Sequence, residues 1–283
     1  MKKLSLIILI LLFSISPVFA ARTGIFPNAD GCGTDTMAAY GASNDPVICI
    51  VNSTADTSGT PSSASTRNGV DVLLGTAHQC IEGTWSTDGG TVGEYTWPAN
   101  SGRIVIFETS GTIIHNGYMT VSDNYVSILG ATAPSPGITF KGTTFVVQSA
   151  HDVYISHIRV RPGDGSGVAY DNRDAIQIES TNSDSYNVVI DHCSASWAID
   201  ENIQIYETGN DIYDVTISNT ITSEGLADSY HSKGVHSMGM IIGENTKIWH
   251  FSHVMPGAKI GKNCIIGQNV FISKKAIIGL SLI

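Results

Sequence analysis

Polar side chains near the middle of the chain have the types and spacing needed for chemistry. They lie in Tyr186–Glu207, whose sequence is YNVVIDHCSASWAIDENIQIYE. One set of alternate positions carries polar groups: Asp200, Asn202, Gln204 and Tyr206. The intervening set carries apolar groups: Trp197, Ile199, Ile203 and Ile205. A period of two predicts a strand with one buried and one polar face, so carboxylate and amide oxygens on the outer surface favour binding of a cation or a sugar.

A strand motif that recurs along the chain predicts the element that positions these side chains. Each copy contains Val, one further residue and Ile, and its valines are Val126, Val153, Val188 and Val215. These valines are 27, 35 and 27 residues apart, which is a spacing typical of a solenoid. In a parallel β-helix the Val and Ile columns would stack as ladders in the core. A β-sandwich would explain the strands but not their recurrence. The predicted fold class is therefore all-β, with a parallel β-helix.

The charge distribution excludes some partners and favours others. The formal net charge is −10, and charged residues are 14% of the chain. Five lysines and one glutamate follow position 241, so the first 241 residues carry −14 and the remainder +4. This acidic body argues against a nucleic-acid partner. An acidic polymer would need a divalent cation to mediate its binding.

Residues 1–20 have the features of a secretory signal peptide. Lys2 and Lys3 precede the apolar run Leu4–Phe13, and small residues precede a cleavage site after Ala20. The run is too short to span a bilayer. We therefore expect a secreted protein, extracellular or periplasmic, with no membrane partner after signal cleavage.

The chain has five cysteines: Cys32, Cys49, Cys80, Cys193 and Cys264. In an oxidising compartment Cys49 and Cys80 could pair, although sequence alone leaves the connectivity open. Cys193 and Cys264 lie within apolar strand patterns, so we expect buried hydrophobic roles for them.

Four separated motifs resemble the secreted pectate lyases, which are right-handed parallel β-helix proteins. The motifs occur in the order typical of that family and are Ile106–Ile113, Val126–Pro134, Val189–Glu201 and His231–Gly234. The resemblance covers about residues 26–243. It implies calcium-dependent β-elimination of polygalacturonate, in which a basic side chain, usually Arg, removes the proton next to the uronate carboxylate. Oxygen ligands suit Ca²⁺, and a Lewis-acidic ion would stabilise the developing negative charge.

The resemblance also implies a set of calcium ligands. Asn172 and Asp174 match the first pair of ligands in the family, and Asp200 and Gln204 match the second pair, with Glu201 adjacent. Two of these positions hold amides where carboxylates are expected, which predicts weaker calcium binding. The same residue types also cap turns between coils, and that alternative stays open.

One further residue matches the substrate site of the family, with a histidine beside it, and one expected residue is missing. Lys233 matches the lysine that binds the substrate carboxylate, and His231 lies beside it; a solvated loop lysine is the alternative. No arginine follows Arg173, so the segment that supplies the catalytic base is absent. General-base catalysis contributes about 10²–10⁴-fold, and we therefore predict weak or no lyase activity.

A second repeat begins at Ile242. Hexads start at aliphatic residues: Ile242, Ile248, Val254, Ile260, Ile266, Ile272 and Ile278. The fifth positions of the first six hexads are small, and three such hexads form one coil of a left-handed β-helix. Residues 242–283 resemble a fragment of the nucleotide-sugar N-acetyltransferases that use acetyl-CoA. The segment is too short to complete such a site, so we do not expect acetyl-CoA to bind.

These observations predict three regions and several possible functions. The regions are a signal peptide at 1–20, a truncated pectate-lyase-like β-helix at 21–241 and a left-handed hexapeptide segment at 242–283. If the geometry of both families holds, the winding of the coils must reverse within 239–243, so that either an irregular joint forms or one repeat is lost. A chimeric or truncated reading frame is one hypothesis. The first function is a calcium-dependent lyase acting on pectate, weak or inactive. The alternatives are a non-catalytic pectin-binding solenoid and an acetyl-CoA-dependent N-acetyltransferase.

Overall fold

The structure is a computed structural model. It describes residues 38–82, 85–165, 170–226, 228–234, 237–240, 247–248, 253–254, 264–266 and 270–273. The predicted signal peptide and the predicted boundaries at 20/21 and 241/242 lie outside the described residues. So does Cys32, one of the five cysteines.

Most of the described chain forms three sheets of stacked strands. The ten strands of the first sheet, in spatial order, are β2 (Ser63–Arg67), β3 (Val70–Thr76), β1 (Asn44–Ser53), β6 (Ser101–Phe107), β9 (Val126–Leu129), β12 (His151–Ser156), β15 (Ser185–Asp191), β18 (Ile212–Ser218), β23 (Cys264–Ile266) and β21 (Lys247–Ile248). The seven of the second sheet are β22 (His253–Val254), β24 (Phe271–Ile272), β19 (Ile221–Ser223), β16 (Ser194–Ser196), β13 (Ile158–Arg161), β10 (Ile138–Lys141) and β7 (Gly111–Ile114). The five of the third sheet are β20 (Met238–Met240), β17 (Glu201–Glu207), β14 (Ile176–Ser180), β11 (Thr144–Gln148) and β8 (Tyr118–Val121).

The remaining elements are short. They are the antiparallel hairpin of β4 (Gly90–Val92) and β5 (Tyr95–Trp97), the helices α1 (Ala77–Ile81) and α2 (Trp85–Asp88), and 3-10 turns at Ala38–Gly41, Gly130–Thr132 and Tyr170–Asn172. Apart from that hairpin and the β2–β3 pair, the strands pair in parallel, and the chain visits the three sheets in turn. This is the predicted parallel β-helix.

The core consists of the predicted ladders. Val126, Val153, Val188 and Val215 pair in register from strand to strand in the first sheet, and all four are fully buried. Successive coils share one continuous core only if their apolar side chains stack on one another. Apolar residues must therefore recur at the same position in each coil. The matching isoleucine column runs through Ile128, Ile155, Ile190 and Ile217. Ile266, the first residue of a hexad, continues that column and is buried.

The described hexapeptide strands extend the stack but wind back along it. Strand β21 pairs with β23 at a spacing of 18 residues, as in Ile248 with Ile266, and β22 pairs with β24 at the same spacing, as in Val254 with Ile272. These spacings match three hexads per coil. Strand β23 lies next to β18, whereas the earlier strand β21 lies outside it. Because the tail strands pair in parallel with the earlier coils, the chain turns around the helix axis in the same direction. Because their spatial order is reversed, the chain advances along that axis in the opposite direction. The two parts therefore wind with opposite hand, as predicted, although crossovers of the rarer hand are uncommon in proteins.

The predicted single strand from Trp197 to Tyr206 is wrong. Strand β16 ends at Ser196 and β17 begins at Glu201, because Trp197 has a left-handed φ of 64° and turns the chain from the second sheet to the third. The alternation on which the prediction depended does not hold through this corner, where residues 198–202 are all buried. Trp197 is consequently 46% exposed at the coil edge, whereas Asn202, predicted to face outward, is fully buried. The Asn202 amide accepts the Ala198 N–H at 3.1 Å and donates to the Ser223 carbonyl at 3.0 Å.

A cap covers the first coils. Helix α1 begins with a capping box between Thr76 and Gln79, and a disulfide joins Cys80 in α1 to Cys49 in β1. Cys193 is buried and free, as expected of a hydrophobic cysteine. No helix within the described residues is long and apolar enough to cross a membrane.

A buried ion pair gives a test of the first coil. Arg103 occupies the ladder position that Val126 fills one coil later, and its Nη2 lies 2.9 Å from Asp123 Oδ2. Both side chains are buried, so Asp123→Asn would remove a buried countercharge from beside Arg103. We expect a loss of about 3–5 kcal/mol in the free energy of unfolding, measured by chemical denaturation. Glu108→Gln is the matched control, because the Arg67–Glu108 pair is partly exposed at 3.6 Å, and it should cost at most about 1 kcal/mol. Equal losses in the two variants would contradict this account.

Candidate functional site

Three carboxylates meet because two successive coils bring equivalent positions next to each other. Asp174 lies two residues before the start of β14. Asp200 immediately precedes β17 and Glu201 is its first residue, and β17 pairs with β14 in register. The Ala175 N–H donates to the Glu201 carbonyl at 2.9 Å and continues this ladder by one residue. Residues 27 apart therefore lie side by side at this edge of the third sheet.

The three carboxylates converge on one small volume. One oxygen of each of Asp174, Asp200 and Glu201 lies within 4.8 Å of the others, and all three residues are buried. Asp174 Oδ1 accepts the backbone N–H of Glu201 at 2.8 Å, which holds the Asp174 side chain in place. Three oxygen ligands on neighbouring strands are a suitable set for a hard divalent cation.

Burial makes the charged state of this cluster costly. Burial raises the pKa of Asp174 to about 7, and the nearby Asp200 charge acts in the same direction against the hydrogen bonds from Glu201. Burial also raises the pKa of Glu201, and the charges of Asp174 and Asp200 raise it further. Protons therefore occupy the cluster at neutral pH unless a cation replaces them.

A row of amide and carboxyl groups continues the cluster along the outer face of the third sheet. Gln204 donates to Glu201 Oε2 at 3.2 Å and accepts from Gln177 at 3.0 Å. Gln177 and Gln148 both donate to Glu179. Gln204 thus contacts the cluster through Glu201, and the row fixes its orientation.

Asn172 is exposed, unlike the three carboxylates. It ends the 3-10 turn before Asp174. Its side chain hydrogen-bonds the Tyr118 hydroxyl, whose pKa burial raises despite this bond. Of the five predicted ligands, the structure brings together Asp174, Asp200 and Glu201, with Gln204 adjoining and Asn172 on the rim.

His231 connects the predicted substrate lysine to the cluster. Its ring is fully buried, and Nδ1 accepts the Lys233 backbone N–H at 3.1 Å. Nε2 lies 3.7 Å from Asp200 Oδ1. Lys233 itself is exposed beside Asp171, whose carboxylate accepts hydrogen bonds from the side chain and the backbone of Ser232. These bonds lower the pKa of Asp171, and the Lys233 charge adds to the effect.

The sequence reasoning missed Asp171, Tyr118 and the Gln177–Glu179 row. Gln177 had a usable signal, because it lies 27 residues before Gln204 and shares its place in the coil. Asp171 and Tyr118 had none, since they reach the site from a turn and from a strand two coils away.

Part of the chain is similar in sequence to known proteins. The chain is 38% identical over 125 residues to a probable pectate lyase C of Aspergillus flavus, covering 44% of this chain and 27% of that protein. It is 30% identical over 203 residues to the probable pectate lyase C of Neosartorya fischeri, covering 72% of this chain and 44% of that protein. A probable pectate lyase C of Aspergillus fumigatus is 32% identical over 158 residues, covering 56% of this chain and 35% of that protein. The chain thus spans less than half of the length of these relatives. It is similar in sequence to these probable pectate lyases, and the predicted resemblance is confirmed.

Two further comparisons concern the tail and the fold. The family described as bacterial transferase hexapeptide (six repeats) matches residues 239–274, in agreement with the predicted hexads. Among solved structures, that of Jun a 1, the major allergen from cedar pollen, covers 87% of this chain and 69% of its own, with a TM-score of 0.42 and 17% identity. A similarity at this level adds nothing to the parallel β-helix that the strand pairing itself establishes.

The raised pKa values predict an unusual pH dependence without any cation. Unfolded Asp and Glu have a pKa of about 4, so between that pH and the raised values the folded chain holds protons that the unfolded chain has released. In a chelating buffer we therefore expect the free energy of unfolding to fall by on the order of a few kcal/mol as the pH rises from 5 to 8. Glu201→Gln should flatten this profile, and Glu94→Gln, at an exposed position, should not. A profile that is flat in the parent chain would contradict the geometry of the cluster.

Proposed function

We propose that this pectate-lyase-like chain binds Ca²⁺ at Asp174, Asp200 and Glu201, and through it an acidic polysaccharide such as pectate. The observation that carries the proposal is the convergence of three buried carboxylates within 4.8 Å. Oxygen ligands at 2.3–2.6 Å from one Ca²⁺ are at most about 5 Å apart, so the separation fits a shared ion. The cation would compensate the buried negative charges and would leave positions for a uronate carboxylate.

The surroundings of the cluster suit such a substrate. Bound Ca²⁺ would supply Lewis acidity that lowers the cost of removing the proton next to a uronate carboxylate. Lys233 is exposed on the same side, held there through the buried His231, and its ammonium group suits a second carboxylate as a point charge. The exposed end of the third sheet, with Tyr206 and Glu207, would lie along the bound polymer.

The two described arginines that are closest to this site in sequence, Arg161 and Arg173, are engaged by other groups. Arg173, next to Asp174, is buried and donates to the carbonyls of Gly163 and Gly165. Arg161 lies in the second sheet, where it donates to Ser194 beneath the Trp197 ring. No arginine follows position 173 in the sequence. We therefore infer weak or absent β-elimination, with calcium-mediated polysaccharide binding as the main activity.

The compartment is also part of the proposal. We place the protein outside the cytoplasm, in the medium or the periplasm, because of the signal-like residues 1–20. The Cys49–Cys80 disulfide supports this placement, since disulfides persist in oxidising compartments. For the hexapeptide tail we propose a structural role, because its described strands cover β18 and β19 at the end of the coils.

A binding assay with product detection tests the proposed function. The purified chain should be retained on polygalacturonate in millimolar Ca²⁺ and released by chelation, with little unsaturated uronate product detected by absorbance. Asp174→Asn and Asp200→Asn should each weaken retention by about tenfold or more, because each removes a charged ligand. Glu94→Gln is the control and should behave as the parent chain. If the chain stayed on polygalacturonate after chelation, the calcium site would be wrong. Rapid formation of unsaturated product would contradict the inferred inactivity.

Lys233→Ala separates polysaccharide binding from calcium binding. The variant should lose about 1–3 kcal/mol of the free energy of polygalacturonate binding, as for a charged hydrogen bond, while its calcium affinity measured by calorimetry stays within twofold. Lys141→Ala, at an exposed position on the second sheet, is the matched control and should change neither quantity. Unchanged retention in Lys233→Ala would contradict a role for this lysine.

A further inference from the structure

A second cluster of metal-binding side chains lies where the cap meets the first coil. Asp56 belongs to the loop after β1, His78 to α1, Glu82 to the end of that helix, and His115 to the turn after β7. One ligand atom from each of Asp56, His78 and His115 lies within 4.8 Å of the others. The resemblance to pectate lyases assigned no role to any of these residues.

The two imidazoles meet the same carboxylate oxygen. Asp56 Oδ1 is 2.9 Å from His115 Nδ1 and 3.0 Å from His78 Nδ1. The two rings lie nearly perpendicular with centroids 4.6 Å apart, so their Nδ1 edges converge on this oxygen.

The remaining ring nitrogens fix the protonation pattern. His115 Nε2 lies 3.1 Å from the Tyr118 carbonyl oxygen, which only accepts, so Nε2 carries a proton and donates it. His78 Nε2 lies 2.7 Å from Glu82 Oε2, again an acceptor, and donates likewise. In a neutral imidazole the second nitrogen then holds a lone pair. Both Nδ1 lone pairs would face the lone pairs of Asp56 Oδ1 at about 3 Å.

Either protons on the two Nδ1 atoms or a metal cation must therefore lie between these nitrogens and Asp56 Oδ1. If protons alone did so, both rings would be imidazolium cations with their centroids 4.6 Å apart. One divalent ion would replace both protons and leave the rings neutral. A ring that binds metal through one nitrogen and donates from the other to a carboxylate or a backbone carbonyl is the usual arrangement in metalloproteins. Glu82 and the Tyr118 carbonyl supply those two acceptors.

We propose that Asp56, His78 and His115 form a zinc site, with Glu82 positioning His78. Two imidazoles and a carboxylate are ligands typical of Zn²⁺, and ligands at about 2.0–2.1 Å in a tetrahedron are about 3.3 Å apart. The observed separations of 2.9 and 3.0 Å need only a slight expansion. The Asp56 side chain is about one-third exposed, so water can reach the fourth position.

The supporting bonds hold the site in place before metal arrives. Thr76 Oγ1 donates to the Thr57 carbonyl at 2.7 Å, which ties the Asp56 loop to α1. The Cys49–Cys80 disulfide ties α1 to β1, and Glu82 Oε1 accepts the Thr120 N–H of β8 at 2.8 Å. The zinc ion would thus join the loop, the cap helix and the first coil, and we expect it to stabilise the N-terminal end of the β-helix.

The test is a metal titration of the full chain. After chelation and dialysis, the protein is titrated with Zn²⁺ by calorimetry, and with Co²⁺ by visible absorbance, which is intense for tetrahedral and weak for octahedral cobalt. We expect one Zn²⁺ per chain, a tetrahedral cobalt spectrum, and a higher Tm with Zn²⁺. His78→Gln and Asp56→Asn, both at partly exposed positions, should each weaken Zn²⁺ binding by about a hundredfold or more. They remain informative if the more buried His115→Gln fails to fold.

Two controls separate this site from others. His192→Gln removes a histidine whose Nδ1 lies 2.7 Å from Asp191 Oδ2, a pair without a converging third ligand, and should leave Zn²⁺ binding unchanged. Asp174→Asn should weaken Ca²⁺ binding and leave the tight Zn²⁺ site intact, so failure of the calcium proposal and failure of this one are distinguishable. An octahedral cobalt spectrum, affinity weaker than millimolar, or equal binding in His78→Gln and the parent chain would overturn the zinc site.

Discussion

In-register stacking of parallel coils is the constraint on which the rest of the structure depends. A backbone hydrogen bond in the ladder joins residues one coil apart, so the coil length fixes which side chains become neighbours. Where that length is 27 residues, Val188 meets Val215 in the core and Asp174 meets Glu201 at the edge. The same ladder thus buries apolar groups, which lowers the free energy of the folded state, and brings like charges together, which raises it. The stability of the first arrangement is what permits the second.

Much of the fold could be predicted because this constraint leaves a periodic trace in the sequence. The Val and Ile columns and the hexads could be recognised from spacing alone, and their pairing in the structure follows that spacing. The alternation failed at Trp197, where a residue with a left-handed φ turns the chain between two short strands, and the five residues that follow it are all buried. Asn202 was misplaced for the same reason, and it proves to be a buried amide that satisfies backbone groups at the corner. Corners carry no period, so their side chains have to be found from the structure.

The candidate sites differ in the same way. Asp174, Asp200 and Glu201 were predictable from a family resemblance, and their neighbourhood then follows from the coil length. Asp56 and His115 are 59 residues apart and belong to segments that share no repeat register. Their approach results from the cap folding over the first coils, which depends on the disulfide and the helix cap rather than on the ladder. A site made by such non-periodic contacts leaves no spacing in the sequence.

The reversed tail shows what the ladder does and does not demand. Backbone pairing requires that neighbouring strands run parallel and in register. Coils of either hand satisfy this, because the chain turns around the axis in the same direction in both parts and only its direction of advance along the axis differs. Ile266 can therefore sit on Ile217 although the two belong to different repeats. The described strands of the tail pair with the earlier coils in the first two sheets. An exposed end of a β-helix presents unpaired backbone groups and apolar side chains, which favour aggregation. The oppositely wound coils place their own strands over β18 and β19, so a segment that is unrelated in sequence family can still satisfy the backbone at that end.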